Sequence, residues 1–250
     1  MSTHPPQEIT FADLTDLADL SSGGGSTIYS ATYINTPVAV RKIRITSSES
    51  LDRYERELDL RKNVLTTPSH PNILPLVAYC SQAPNYFLVS PLYKGGNLFN
   101  VLHKKLVRFG FKRCLELCKQ LVDATLYLHE KGLIHRDIKS LNVLLDEHLH
   151  HAVLSDFDLL VREEEIGREL EAREREKNSY KKPCKDDKPL HIGRADKNGP
   201  SAGRLKQMVG TLVYLSPEVL LGTPHGFAAD IYALGILMNE VASGCVPYVD

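Results

Sequence analysis

The chain has 250 residues and a mass of 28.0 kDa, enough for one or two domains with a sizeable core. Its 42% hydrophobic and 24% charged content excludes a wholly disordered, collagen-like or coiled-coil chain. Thirty Lys and Arg against 31 Asp and Glu leave a net charge of −1, which excludes a global basic excess directed at nucleic acid or an anionic membrane. There is no apolar run of the roughly 18 residues a membrane span needs. Residues Met1 to Asp13 also lack the basic-then-apolar pattern of a secretory signal. The expectation is a soluble, cytoplasmic protein with no membrane span and no nucleic-acid partner. Cys80, Cys114, Cys118, Cys184 and Cys245 form an odd, scattered set without a C-x-x-C pair, so free thiols are expected.

In chain order, a glycine cluster at Gly23 to Gly25 precedes two β-branched and aromatic runs, Ile28 to Tyr33 and Val38 to Ile43. Asn35-Thr36-Pro37 separates them, the pattern of two strands joined by a turn. Leu51, Tyr54, Leu58 and Leu65 then recur at spacings of three, four and seven, which predicts an amphipathic helix from Ser50 to Leu65, stopping before Pro68. A second strand pair is expected over Ile73 to Cys80 and Tyr86 to Ser90. After Gly95-Gly96 the period changes to about 3.6, and Leu117, Leu121, Ala124 and Leu128 line one face of a long helix ending at Gly132. Val143 to Asp146 and Ala152 to Ser155 read as a small hairpin. From about Glu163 to Lys206 the chain is rich in Glu, Lys and Arg. Glu163 to Lys177 could be a solvated helix there, and the whole stretch is expected to be a disordered insert.

The most specific signal is Ile134-His135-Arg136-Asp137-Ile138-Lys139-Ser140-Leu141-Asn142-Val143, followed by further apolar residues. It resembles the catalytic loop of protein kinases, H-R-D-x-K-x-x-N. Asp156-Phe157-Asp158 lies fourteen residues after Asn142, where that family carries D-F-G, and Gly210-Thr211-Leu212-Val213-Tyr214-Leu215-Ser216-Pro217-Glu218 resembles the close of its activation segment. Asp230-Ile231-Tyr232-Ala233-Leu234-Gly235 resembles the start of its buried lower-lobe helix. The resemblance implies that Asp137 orients the substrate hydroxyl, Lys139 steadies the transferring phosphate, Thr211 hydrogen-bonds both, and Asn142 and Asp156 ligate magnesium. Phosphoryl transfer is chiefly positioning and charge neutralisation, so it needs a carboxylate beside the nucleophile and cations on the phosphate. Asp158 in place of glycine restricts the backbone and adds a negative charge near the metal ligands.

The upper part departs further from the family pattern. Leu20 to Tyr29 occupies the place of the glycine-rich phosphate loop, with Ser21, Gly23 and Ser26 in its three glycine positions and Ile28 behind them. Val38-Ala39-Val40-Arg41-Lys42 aligns with V-A-I-K, so Arg41 stands where the lysine belongs. Strand alternation puts Ala39 and Arg41 on the nucleotide face and Lys42 on the other. Arginine keeps the charge but is longer and planar. Glu57 is the expected helix partner of Arg41, with Glu55 as its rival. Ser90 takes the gatekeeper position, and Pro91, Leu92 and Tyr93 the hinge, where the Pro91 carbonyl and the Tyr93 amide would meet adenine. His148, His150 and His151 read as a solvated turn in preference to a zinc site, and Cys114 and Cys118 as core.

The whole pattern is similar to the tyrosine-kinase-like group, such as Raf and mixed-lineage kinases. It implies an α+β, two-lobed fold with a small antiparallel sheet lobe carrying one helix, residues 10–93, and a helical lower lobe, 94–250, lacking its last helices. A partner protein covering the incomplete lobe is part of that expectation. The implied activity is an ATP- and magnesium-dependent serine/threonine protein kinase acting in signalling. The alternative is a pseudokinase scaffold, to which Ser21, Ser26, Arg41 and Asp158 point.

Overall fold

The computed structural model describes residues 5–23, 25–65, 69–166, 212–221 and 226–248. Its upper part is a six-stranded sheet built from β1 (Gln7–Glu8), β2 (Thr15–Ser22), β3 (Ser26–Tyr33), β4 (Thr36–Ile43), β5 (Ala78–Gln82) and β6 (Asn85–Pro91), in the order β1-β5-β6-β4-β3-β2. All pairings are antiparallel except β1 with β5. Side chains alternate along a strand, so the two faces of this sheet bury different sets. Val38, Val40, Ala78, Cys80, Phe87 and Val89 pack on one face with Ile9, Leu14, Ala31 and Tyr33. Tyr79 and Leu88 point to the other, where they meet Tyr54 and Leu58 of helix α1 (Ser48–Asn63). In the β4–β6 register Arg41 pairs with Leu88 and Ala39 with Ser90, which turns Ala39 and Arg41 to the α1 side.

Helix α1 starts where the Ser47 side chain accepts from the Ser50 amide, and Arg61 and Lys62 lie in its last turn, where the helix dipole favours cations. Its buried residues, Tyr54, Glu57, Leu58, Leu60 and Arg61, include two that are charged. The helix starts and ends two residues earlier than the periodicity predicted, and Pro68 lies outside the described residues. The predicted strand over Ile73 to Cys80 is also corrected. Only Ala78 to Gln82 pairs as a strand; Ile73 instead bridges to Leu154, because the intervening chain crosses from the sheet to the lower core.

The lower part is centred on α2 (Phe111–Glu130) and α4 (Phe227–Ser243), preceded by the short α3 (Pro217–Leu220). Leu117, Leu121, Ala124 and Leu128 of α2 share one core with Ala233, Leu234, Leu237 and Val241 of α4. Each buried Leu contributes about 1.5–3 kcal/mol relative to exposure, so this face alone holds the two helices together. Gly244, at φ 68°, ends α4 in the left-handed conformation. The strands β7 (Gly96–Asn97), β9 (Val143–Leu145) and β10 (Ala152–Leu154) form a three-stranded sheet, and β8 (Leu133–Ile134) pairs with β11 (Val161–Arg162). A Cβ on Gly95 would lie 2.2 Å from the Asp146 carbonyl oxygen, so only glycine allows that close approach beside β7. Leu60 of α1 and Leu65 just beyond its end join the lower core, and that tie sets the helix over the cleft.

The insert expected from Glu163 is corrected at its edge. Residues 163–166 are helical, and Ile166 is buried against Ile134 and Val161, an apolar anchor hidden in a charged run. Residues 167–211, with Thr211 and Cys184, lie outside the described residues. Cys80, Cys114 and Cys118 are buried and Cys245 exposed, all as free thiols. Among the described residues no helix is long and apolar enough to cross a membrane.

Candidate active site

A cleft of about 650 Å³ separates the sheet from the helical part. Ser21, Ser26, Ile28, Ala39, Arg41, Glu57, Ser90, Pro91 and Tyr93 line it, together with Asn142, Asp156 and Asp158. Gly23 does not line the cleft. It sits at the tip of the β2–β3 hairpin, where its amide donates to the Ser26 carbonyl at 2.9 Å, so the turn closes on itself.

The lower rim is built on one buried carboxylate. Asp230, in the first turn of α4 and 1% exposed, accepts from the backbone amides of His135 and Arg136, both at 2.8 Å, and lies 3.0 Å from His129 Nε2. That pair of bonds holds Arg136 at φ 68°, a conformation costly for a side-chain-bearing residue unless its surroundings impose it. His135 Nδ1 accepts from the Asp137 amide at 3.2 Å while Nε2 faces the Ser155 carbonyl at 3.1 Å, which assigns the ring proton to Nε2.

So positioned, Asp137 is gripped from two sides. Lys139 Nζ reaches both its carboxylate oxygens, at 2.6 and 2.8 Å, and Asn142 Nδ2 donates to its Oδ2 and its carbonyl, each at 2.8 Å. Charge-assisted bonds of this kind are about twice as strong as neutral ones and fix the orientation of the carboxylate. With Nδ2 of Asn142 engaged, its Oδ1 is the end that suits a hard cation, and Asp156 supplies a carboxylate in the same cleft; this all-oxygen donor set fits magnesium.

The upper rim is an ion cluster around Arg41. Its Nη1 donates to Asp156 Oδ1 at 2.9 Å, and its Nη2 to Asp158 Oδ1 at 2.6 Å and to Glu57 Oε2. Burial alone would lower the Arg41 guanidinium, but Glu57, Asp158 and Asp156 together hold it above its ordinary value. Burial pushes Glu57 up, to about 7, against the pull of two guanidiniums. Burial also raises Asp158, but Arg41 outweighs it and holds that carboxyl below its ordinary value. Glu55 is exposed and takes no part, and Lys42, on the opposite face of β4, donates to Asn85 Oδ1 at 3.0 Å.

One member of this cluster was not anticipated. Arg61, 4% exposed, faces Glu57 Oε1 at 3.4 Å and donates to the Leu74 carbonyl at 3.3 Å and to Ser90 Oγ at 3.1 Å. Its guanidinium lies 5.4 Å from the Phe157 ring centre, and the His135 ring centre stands 5.5 Å from that of Phe157. The Glu57 and Arg61 spacing of four residues was visible in the sequence, but such pairs usually lie on a solvated helix face. The sulfur-free, chain-distant contact of Asp158 with Arg41 had no local signal at all.

A sheet lobe with one helix set over a helical lobe, with this cleft between, is the architecture of a protein kinase domain. The family model for protein tyrosine and serine/threonine kinases matches residues 14–182, and the chain belongs to that family. It is 32% identical over 247 residues to a protein kinase and PP2C-like domain-containing protein of Arabidopsis thaliana, a match covering 98% of this chain and 34% of the relative. A protein of the same description from Oryza sativa subsp. japonica is 30% identical, covering 94% and 33%. A probable serine/threonine-protein kinase of Dictyostelium discoideum is 29% identical, covering 96% and 22%. The chain thus spans between about a fifth and about a third of the length of these relatives. Other relatives are named as serine/threonine and serine/threonine/tyrosine kinases, consistent with the tyrosine-kinase-like group.

Proposed function

We propose that residues 1–250 form a single kinase domain that transfers the γ-phosphate of ATP to serine or threonine hydroxyls of proteins, as part of intracellular signalling. The observation that carries this reading is the grip of Lys139 and Asn142 on Asp137, with Asn142 and Asp156 both lining the cleft. Asp137 orients the attacking hydroxyl and takes up its proton, and Lys139 shifts from Asp137 toward the phosphate as negative charge develops there. Asn142 and Asp156 would hold magnesium, which neutralises phosphate charge when bound with ATP. Arg41 pairs the nucleotide phosphates, while Ala39, Ile28 and the Ser90 to Tyr93 stretch form the adenine end of the cleft. Ser21 and Ser26 border it from the β2–β3 hairpin, and Thr211 joins Asp137 and Lys139 in this reading.

A second reading, a nucleotide-binding scaffold with impaired transfer, is favoured by one contact: Asp158 engages the guanidinium that phosphates would use. The two separate in one experiment. Magnesium-ATP should raise the melting temperature by mass action, and phosphotransfer to a generic protein substrate should fall about 10²–10⁴-fold in Asp137→Asn while the shift persists. A shift without Asp137-dependent transfer, in both the parent and Arg41→Lys, leaves the scaffold reading; no shift at all ends both.

A further inference from the structure

Around Ser90 the cleft carries a positive charge that neither the metal ligands nor the hinge uses. Arg61, though buried, lines the cleft together with Leu74, Leu88, Ser90 and Ala39. The strand register explains part of this grouping: Ser90 pairs with Ala39 and Leu88 with Arg41, so those four side chains share the sheet face that α1 covers. Leucine walls with one guanidinium and one hydroxyl have the make-up of a small-ligand subsite, apolar with a few placed polar groups.

The two arginines of the cleft differ in how well their charge is balanced. Arg41 is bonded to three carboxylates, Glu57, Asp156 and Asp158. Arg61 has only Glu57 among the described residues, at 3.4 Å through Oε1, while Oε2 of the same carboxylate goes to Arg41. Its other acceptors are neutral, the Leu74 carbonyl at 3.3 Å and Ser90 Oγ at 3.1 Å. All three bonds are longer than the roughly 2.7–2.9 Å of a tight charge-assisted pair, and a guanidinium has about five N–H groups to place. Burial holds this guanidinium below its ordinary value, and the Arg41 charge adds to that, against the pull of Glu57. Ser90 Oγ accepts from Arg61 and so keeps its own hydrogen to donate. With both Glu57 oxygens taken, the polar groups around Ser90 offer donors and positive charge. We propose that Arg61 and Ser90 form a carboxylate-binding subsite of the cleft, which takes a planar ring lodged against the Ser90 to Tyr93 stretch and carrying a short arm that ends in a carboxylate. The proposal rests on the adenine reading of that stretch and adds to it a preference for an acidic ligand.

The test is calorimetric titration with N6-(carboxymethyl)adenosine and N6-(2-carboxyethyl)adenosine, each against its own carboxamide, with adenosine as the reference. Magnesium is left out, so that no metal on Asp156 attracts the carboxylate. In the parent at least one acid should bind about tenfold tighter than its amide. In Arg61→Met the acid-to-amide ratio should fall to about one, and Arg61→Lys, which keeps the charge without the planar fork, should retain part of it. A purely structural role for Arg61 would weaken acid and amide together and leave their ratio alone. Equal binding of acid and amide in the parent, at both arm lengths, overturns the proposal while adenosine binding leaves the adenine reading standing. An acid advantage that survives in Arg61→Met also overturns it, because the carboxylate is then held by Arg41. Should Arg61→Met fail to fold, Arg61→Gln is judged by the same ratio, and the parent comparison stands by itself. No binding of adenosine or of any of its derivatives overturns the subsite and the adenine reading together.

Discussion

The two rims of the cleft solve the problem of fixing charged side chains in opposite ways. On the lower rim, Asp137, Lys139 and Asn142 lie within six residues of one another, and one buried carboxylate, Asp230, clamps the backbone that carries them. On the upper rim, Arg41, Glu57, Arg61, Asp156 and Asp158 come from one strand, a helix and a loop, and they hold each other. Groups on a clamped backbone keep their place when a ligand arrives, whereas groups held only by one another can change partners. The lower rim is therefore built for orientation and the upper rim for exchange of partners.

That contrast can be broken most severely at Asp230. Replacing it by alanine leaves two backbone amides without their acceptor, at about 1–3 kcal/mol each, and releases the left-handed Arg136. The expected result is a loss of about 3 kcal/mol in urea unfolding. Loss of transfer with unchanged stability would show that Asp230 does not carry the loop.

On the upper rim the same style of change should act on ligands and hardly on stability. Asp158→Asn removes one of three anions competing for Arg41, on a side chain 56% exposed, so affinity for magnesium-ATP should rise about tenfold with melting temperature nearly constant. Unchanged or weaker binding would mean that Asp158 assists the ligand instead of competing with it.

The smallest effect is expected at Asp146, in the β9–β10 turn, where the amides of His150 and His151 donate to Oδ1 at 2.6 and 2.8 Å. Burial works the other way, but those bonds hold its carboxyl below the ordinary 3.8. A carboxyl depressed on folding contributes stability above its unfolded value, and that contribution disappears as pH falls through the lower folded value. Asp146→Asn should therefore melt below the parent at neutral pH, with the gap closing under acid conditions below the ordinary value. A gap independent of pH would refute the assignment.

How much of this was legible in the sequence follows the same division. The strands β3, β4 and β6, the helices α1 and α2 and the hairpin β9–β10 announce themselves through period 2 or period 3.6, because one face of each is buried. β2 does not, since all eight of its residues are exposed. The Arg41 side chain is aimed by alternation along β4, a purely local rule, and Glu57 by the buried face of α1. Ile166 was misread with the charged run around it because a single apolar residue carries no period.

What the sequence by itself determined is the type and order of the periodic elements, through short-range periodicity, and the set of groups on the lower rim, through the resemblance carried by one contiguous motif. What only the tertiary structure decided is which charges share partners. Arg61 reads as a surface cation until Leu74, Ser90 and Phe157 close over it, and Asp158 reads as a lost glycine until it meets Arg41 across 117 residues. Coulomb energy depends on separation in space and on burial, neither of which is a property of position along the chain.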